Sequence, residues 1–159
     1  MALKGDRYEL QTDVSYFMNE VAERGGVVTL SSSATPSGAA MDTASNAVTY
    51  VANPSGKVAI GILLNDMVNL DLTRQHINWH KDELQKGGKV TVLRKGYVVT
   101  NRISTSGTPA AGDAAYVAES GLISLSGKAV SLDAGAVRIG RFLTAKDADG
   151  YAKVEINLP

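Results

Sequence analysis

Apolar residues in this chain come mainly in short β-branched runs bounded by glycine, and the one stretch that also fits a helical stripe, Val14, Phe17, Met18, Val21 and Ala22 between Asp13 and Gly25, is short. That pattern constrains the fold most. A core helix needs apolar positions on one face over about ten residues, whereas short apolar runs between turn residues select strands. VVTL (Val27 to Leu30), AVTYVA (Ala47 to Ala52), VAIGILL (Val58 to Leu64) and KVTVLRKGYVVTN (Lys89 to Asn101) read as strands, as do AAYVAE, LISLS and AVSL further on. RFLT and YAKVEINL flank Ala145 to Gly150 and read as a closing hairpin. The fold class that follows is mainly β, a small sandwich or barrel-like domain with at most one short helix.

Less regular segments interrupt this pattern. Ser31 to Asn46 is small, polar and bears glycine and proline, so it reads as a surface loop. Asn65 to Lys86 is either an ordered loop or a short helix ending at Gly87-Gly88, since Ile77, Trp79 and Leu84 make no clean stripe. A second regularity is internal. GKVAIGILL (Gly56 to Leu64) and GAVRIGRFL (Gly135 to Leu143) match at Gly, Val, Ile, Gly and Leu, and each follows an Ala-Val pair (Ala47-Val48 and Ala129-Val130). Two copies of one strand–turn–strand unit would produce this, as would convergence of short β segments. The inner glycines, Gly61 and Gly140, would then mark a bulge or a close approach of neighbouring backbone, and Gly96 a bulge or tight bend.

The N-terminus has its own signature. Tyr8, Leu10, Val14, Tyr16 and Met18 alternate with polar residues, so Tyr8 to Met18 is read as an extended arm, with a turn of helix near Asn19 to Arg24 before Gly25-Gly26. An arm this apolar needs a cover. Either it joins its own sheet or it adds to a neighbour's. The expected organisation is an arm over residues 1–24 and a β-rich domain over 25–159, carrying a loop or helix insertion at 65–88.

Composition removes whole classes of function. The 159 residues include no cysteine, which excludes disulfide scaffolds, thiolate metal sites and cysteine nucleophiles. Lys plus Arg equal Asp plus Glu at 16 each, so the chain has no cationic excess for nucleic acid or an anionic membrane surface. MALKGDRYEL lacks the apolar core of a signal peptide, and VAIGILL is far too short to span a bilayer. His76 and His80 stand four apart and could ligate zinc on a helix, but Ile77 and Asn78 stand where a catalytic glutamate would. The reading taken is a polar segment that packs Trp79. Asp147, Asp149 and Gly150 lack the later ligands of a calcium loop and read as a hairpin tip. No nucleophile elbow, dinucleotide fingerprint or phosphate loop is present. No catalytic residue, metal or cofactor is therefore expected. A metal-dependent hydrolase around the two histidines and a carbohydrate-binding module rank below a structural role.

Long stretches then resemble a known group. IGILLNDMVNLDLTRQHINWHKDELQKGGKVTVLRKGYVVTN (Ile60 to Asn101) and TDVSYFMNEVAERGGVVTL (Thr12 to Leu30) are similar to the small decoration, or cement, proteins of tailed-bacteriophage capsids. TPAAGDAAYVAESGLIS (Thr108 to Ser124) and GAVRIGRFLTAKDADGYAKVEINL after it fit the same pattern. The resemblance implies a β-rich structural virion protein, commonly a homotrimer. It implies binding to the major capsid protein on the outside of the shell, after synthesis in the bacterial host's cytoplasm. Another virion subunit, of tail tube, head–tail junction or fibre, is the alternative. The interface residues expected are Tyr8, Leu10, Val14, Tyr16, Phe17, Met18 and Trp79.

Overall fold

The computed structural model describes residues 2–31, 46–50, 53–54, 56–66, 83–84, 86–105, 107–125 and 137–159. His76, Trp79, His80, the strand expected at AVSL and most of the Ser31 to Asn46 loop lie outside them. Among the described residues eleven strands follow in order: β1 Leu3–Met18, β2 Ala22–Glu23, β3 Val27–Leu30, β4 Ala47–Thr49, β5 Ala59–Asp66, β6 Glu83–Leu84, β7 Lys89–Thr100, β8 Ala114–Val117, β9 Ile123–Ser124, β10 Arg138–Phe142 and β11 Ala152–Asn157. A 3-10 turn spans Glu119–Gly121, and no α-helix occurs among the described residues. The expected helical turn at Asn19 to Arg24 is instead a bend followed by β2, which pairs with β6.

Nine of these strands make one sheet, ordered β1-β4-β3-β5-β7-β11-β10-β8-β9, and β1 also pairs with β7. That extra pairing closes β1, β4, β3, β5 and β7 into a barrel-like ring. β7 is the spine. One edge carries β1 along nearly its whole length, and the other carries β5 opposite Val90 to Leu93 and then β11 opposite Lys95 to Thr100.

The unbroken apolar run of β5 has a direct cause. Ile62 and Leu64 point into a large core with Leu93, Val98, Ile139, Phe142, Val154 and Ile156. Ile60 and Leu63 point the other way, into a second core with Met18, Val28, Val48, Val90 and Val92. A strand covered on both faces loses the polar alternation of a half-exposed one.

The two similar segments hold equivalent places. β5 is the middle strand of β3-β5-β7 and β10 the middle strand of β8-β10-β11, and all four pairings are antiparallel. In each, the inner glycine is pressed against a neighbouring carbonyl: a Cβ on Gly61 would strike Leu93 O and one on Gly140 would strike Glu155 O. Each also lies beside a register shift, at Val28/Thr29 and Arg138/Gly140 respectively. β10–β11 is the closing hairpin expected from the sequence. At its tip Asp147 Oδ1 accepts from the amides of Asp149 at 3.1 Å and Tyr151 at 2.7 Å, which is turn chemistry.

Candidate functional site

β1 is a strand fastened at both ends and uncovered in between. At its start Leu3 is buried in the larger core. The Thr100 hydroxyl lies 3.0 Å from Ala2 O and 2.8 Å from Gly25 O, and Asn101 N donates to Ala2 O at 3.1 Å. At its end Met18 is buried in the second core, its amide donating to Gly88 O at 2.9 Å. Gly5 through Thr12 are all exposed between these anchors.

The exposed stretch is held by polar and aromatic contacts. Lys4 Nζ is 2.9 Å from Asp147 Oδ2 and 4.2 Å from the centre of the Tyr151 ring. Lys153 Nζ is 3.2 Å from Asp6 Oδ2 and 3.9 Å from the centre of the Tyr97 ring. The hydrogen bond between Lys4 and Asp147 raises the lysine pKa and lowers that of the carboxyl, and the bond to Asp6 raises that of Lys153. Asp13 is held below the usual carboxylate range, first by its bond with Ser15 and more weakly by Arg94. Tyr8 sits opposite Tyr97 and stacks on it, with ring centres 6.0 Å apart. Arg7 Nε and Glu9 Oε1 pair at 2.7 Å.

Gly96 explains why β1 can lie so close. Its φ is +138°, and a Cβ there would run into Tyr8 O. The register of β1 on β7 also shifts between Glu9 and Gln11, next to this contact. The glycine expected as a bulge or bend is thus a point of close backbone approach.

The expected interface residues separate into groups. Tyr8, Leu10 and Val14 are 54%, 65% and 40% exposed. Tyr16 and Phe17 are half-buried, with Tyr16 packed against the second core. Met18 is 0% exposed, so it anchors the strand inside the chain's own core and offers no surface. Trp79 lies outside the described residues. Sequence reasoning missed Tyr97, which carries Tyr8, and the Arg7–Glu9 pair. The available signal for the pair was the opposite charge of Arg7 and Glu9, two apart and so on one face of a strand.

A second surface feature is a shallow polar recess lined by Arg138, Ile139, Gly140, Arg141, Glu155 and Asn157. Arg141 Nε meets Glu155 Oε2 at 2.5 Å there, so its charge is matched at the surface. Among the described residues no three potential metal ligands come together. What the arrangement offers chemically is adhesion: an open strand edge, apolar side chains and paired charges.

A family of phage proteins described as "Structural cement protein (E217 gp24/Pam3 gp6)" matches residues 12–157. No curated protein matches the chain.

Proposed function

This chain belongs to the bacteriophage structural cement proteins, and from that premise we propose that it coats the outside of the mature capsid as a homotrimer bound to the major capsid protein. A cement protein stabilises the shell by occupying it and acts through surface, so we assign it no reaction of its own. Synthesis in the host cytoplasm followed by attachment completes the reading. The match favours the capsid over the tail tube, head–tail junction or fibre.

The observation that supports an adhesive role is β1, which presents Tyr8, Leu10 and Val14 to solvent on a strand anchored at both ends. An open strand edge that carries exposed Tyr8, Leu10 and Val14 is an aggregation hazard unless something covers it. In this reading residues 1–24 serve as the contact arm, residues 25–159 as the body, and the segment at 65–88 adds Trp79 to the contact. A ligand that binds only the assembled state stabilises it by mass action, by about 2.7 kcal/mol per site at a hundredfold excess over Kd. Several subunits engaging together need only modest affinity each.

Co-sedimentation with purified empty capsids tests this. The wild-type chain should pellet with expanded shells to a saturating stoichiometry, and Tyr8→Ser with Leu10→Ser should lower that affinity while the fold persists. Absence of the chain from purified particles, or turnover of a substrate by the isolated chain, would overturn the reading.

A further inference from the structure

β1 has one edge in use and one open. Its backbone meets β7 from Leu3 to Phe17 on one side, while on the other only Phe17 and Met18 meet β4. Among the described residues no other strand lies along that open edge. The strand at the far end of the sheet, β9, has only two residues and is already flanked: Ile123 N donates to Arg102 O at 2.9 Å and Ser104 N to Ile123 O at 2.8 Å. The described sheet therefore has one long open edge and no second one to receive it. A head-to-tail strand contact needs two different edges, whereas a two-fold contact uses one edge twice.

We propose that β1 pairs antiparallel with β1 of a second copy, across a two-fold axis through Tyr8. On a strand the outward amides belong to alternate residues, so an antiparallel self-pairing must put a residue, not a peptide bond, on the axis. Between Asp6 and Gln11, charge and register then select the residue. An axis at Asp6, Arg7 or Glu9 sets a charge against its own copy, and one at Gln11 sets Glu9 against Asp13. An axis at Leu10 would centre on the register shift between Glu9 and Gln11, whereas Tyr8 is the middle of the unbroken stretch Arg7 to Glu9. An axis at Tyr8 sets Arg7 against Glu9 of the second copy, and Glu9 against its Arg7. Asp6 then faces Leu10 and Lys4 faces Thr12, so no like charges meet.

Both faces of the new ladder gain a continuation. The Arg7–Glu9 pair, 2.7 Å apart within one chain, joins its copy in a closed ring of four alternating charges. On the other face the Tyr8–Tyr97 stack meets its copy, giving a row of four rings. The contact covers Tyr8 and Leu10, two of the most exposed apolar side chains. If the chain is trimeric, this two-fold joins neighbouring trimers and knits the coat laterally. The inference rests on reading β1 as a contact strand and does not depend on attachment to a shell.

The chain has no cysteine, so single-cysteine variants report the register of the free full-length chain. Tyr8→Cys should form a covalent dimer on oxidation, because facing Cα atoms in such a ladder lie about 4.5–5.5 Å apart, within disulfide reach. Arg7→Cys and Glu9→Cys should cross-link several-fold faster when mixed than alone. Arg7→Glu should weaken self-association about tenfold by setting like charges opposite each other, and adding Glu9→Arg should restore it. Light scattering gives the masses and circular dichroism confirms the fold of each variant. Absence of the Tyr8→Cys dimer, equal cross-linking at Gly5→Cys, or no rescue by the double reversal overturns the pairing. Self-pairing without capsid binding would instead sink the decoration reading, so the two failures are distinct.

Discussion

Tyr50 is the side chain through which several loops are held in one place. Its hydroxyl donates to Glu23 O and accepts from Gly26 N at 3.1 Å, and its own amide donates to Glu20 Oε1 at 2.5 Å. The Arg102 guanidinium lies 5.6 Å from the ring centre. The ring keeps some exposed surface, but its hydroxyl is enclosed, and that desolvation pushes the phenol pKa above its ordinary value. The sign of the linkage follows. The fold favours the neutral phenol, so this contribution is whole below the ordinary value of 10.0 and is lost as pH rises beyond it. Ultraviolet titration should therefore show Tyr50 ionising only with unfolding. Tyr50→Phe should cost about 1–3 kcal/mol in urea unfolding, because it strands the Gly26 amide and the Glu23 carbonyl. None of this was legible in AVTYVA, where Tyr50 reads as one more strand residue.

At the scale of elements, β1 and β7 form the unit that matters, and Gly96 controls how closely they lie. Gly96→Ala should push β1 away at Tyr8 while leaving the β11 side of β7 paired. Amide exchange should then accelerate from Arg7 to Gln11 and stay slow at Val154 and Ile156. Uniform acceleration across β1 and β11 would show that the glycine serves the whole sheet instead. Removing residues 1–18 entirely is a poor probe of the contact. It takes Leu3 and Met18 out of two separate cores and opens the ring between β4 and β7. Apolar alternation identified β1 as extended, but it could not say whether the strand joined its own sheet or another's. The structure shows it joined to β7 along one edge and, on the other, to β4 only at Phe17 and Met18.

At the scale of the molecule, zero net charge and surface ion pairs such as Lys4–Asp147, Asp6–Lys153 and Arg141–Glu155 suit a protein that adheres by fit. Capsids saturated with the chain should resist heat better than bare ones. The gain in their disruption temperature should grow with the logarithm of free chain concentration once sites are filled. A calorimetric series at increasing concentration checks this, and a disruption temperature independent of concentration would argue against binding linked to shell integrity.

The sequence by itself determined that the chain is mainly β, that the runs of β5 and β7 are strands, and that Gly61 and Gly140 mark either a bulge or a close approach. Those properties are local, written in short-range periodicity and in the absence of a side chain. Only the tertiary structure decided that Met18 is core while Tyr8 and Leu10 are surface, since both sets alternate identically along the strand. Burial there depends on what lies across from each residue: at Met18 a second core formed by β3, β4, β5 and β7, and at Leu10 no covering layer. Such long-range pairing cannot be read from neighbours in the chain.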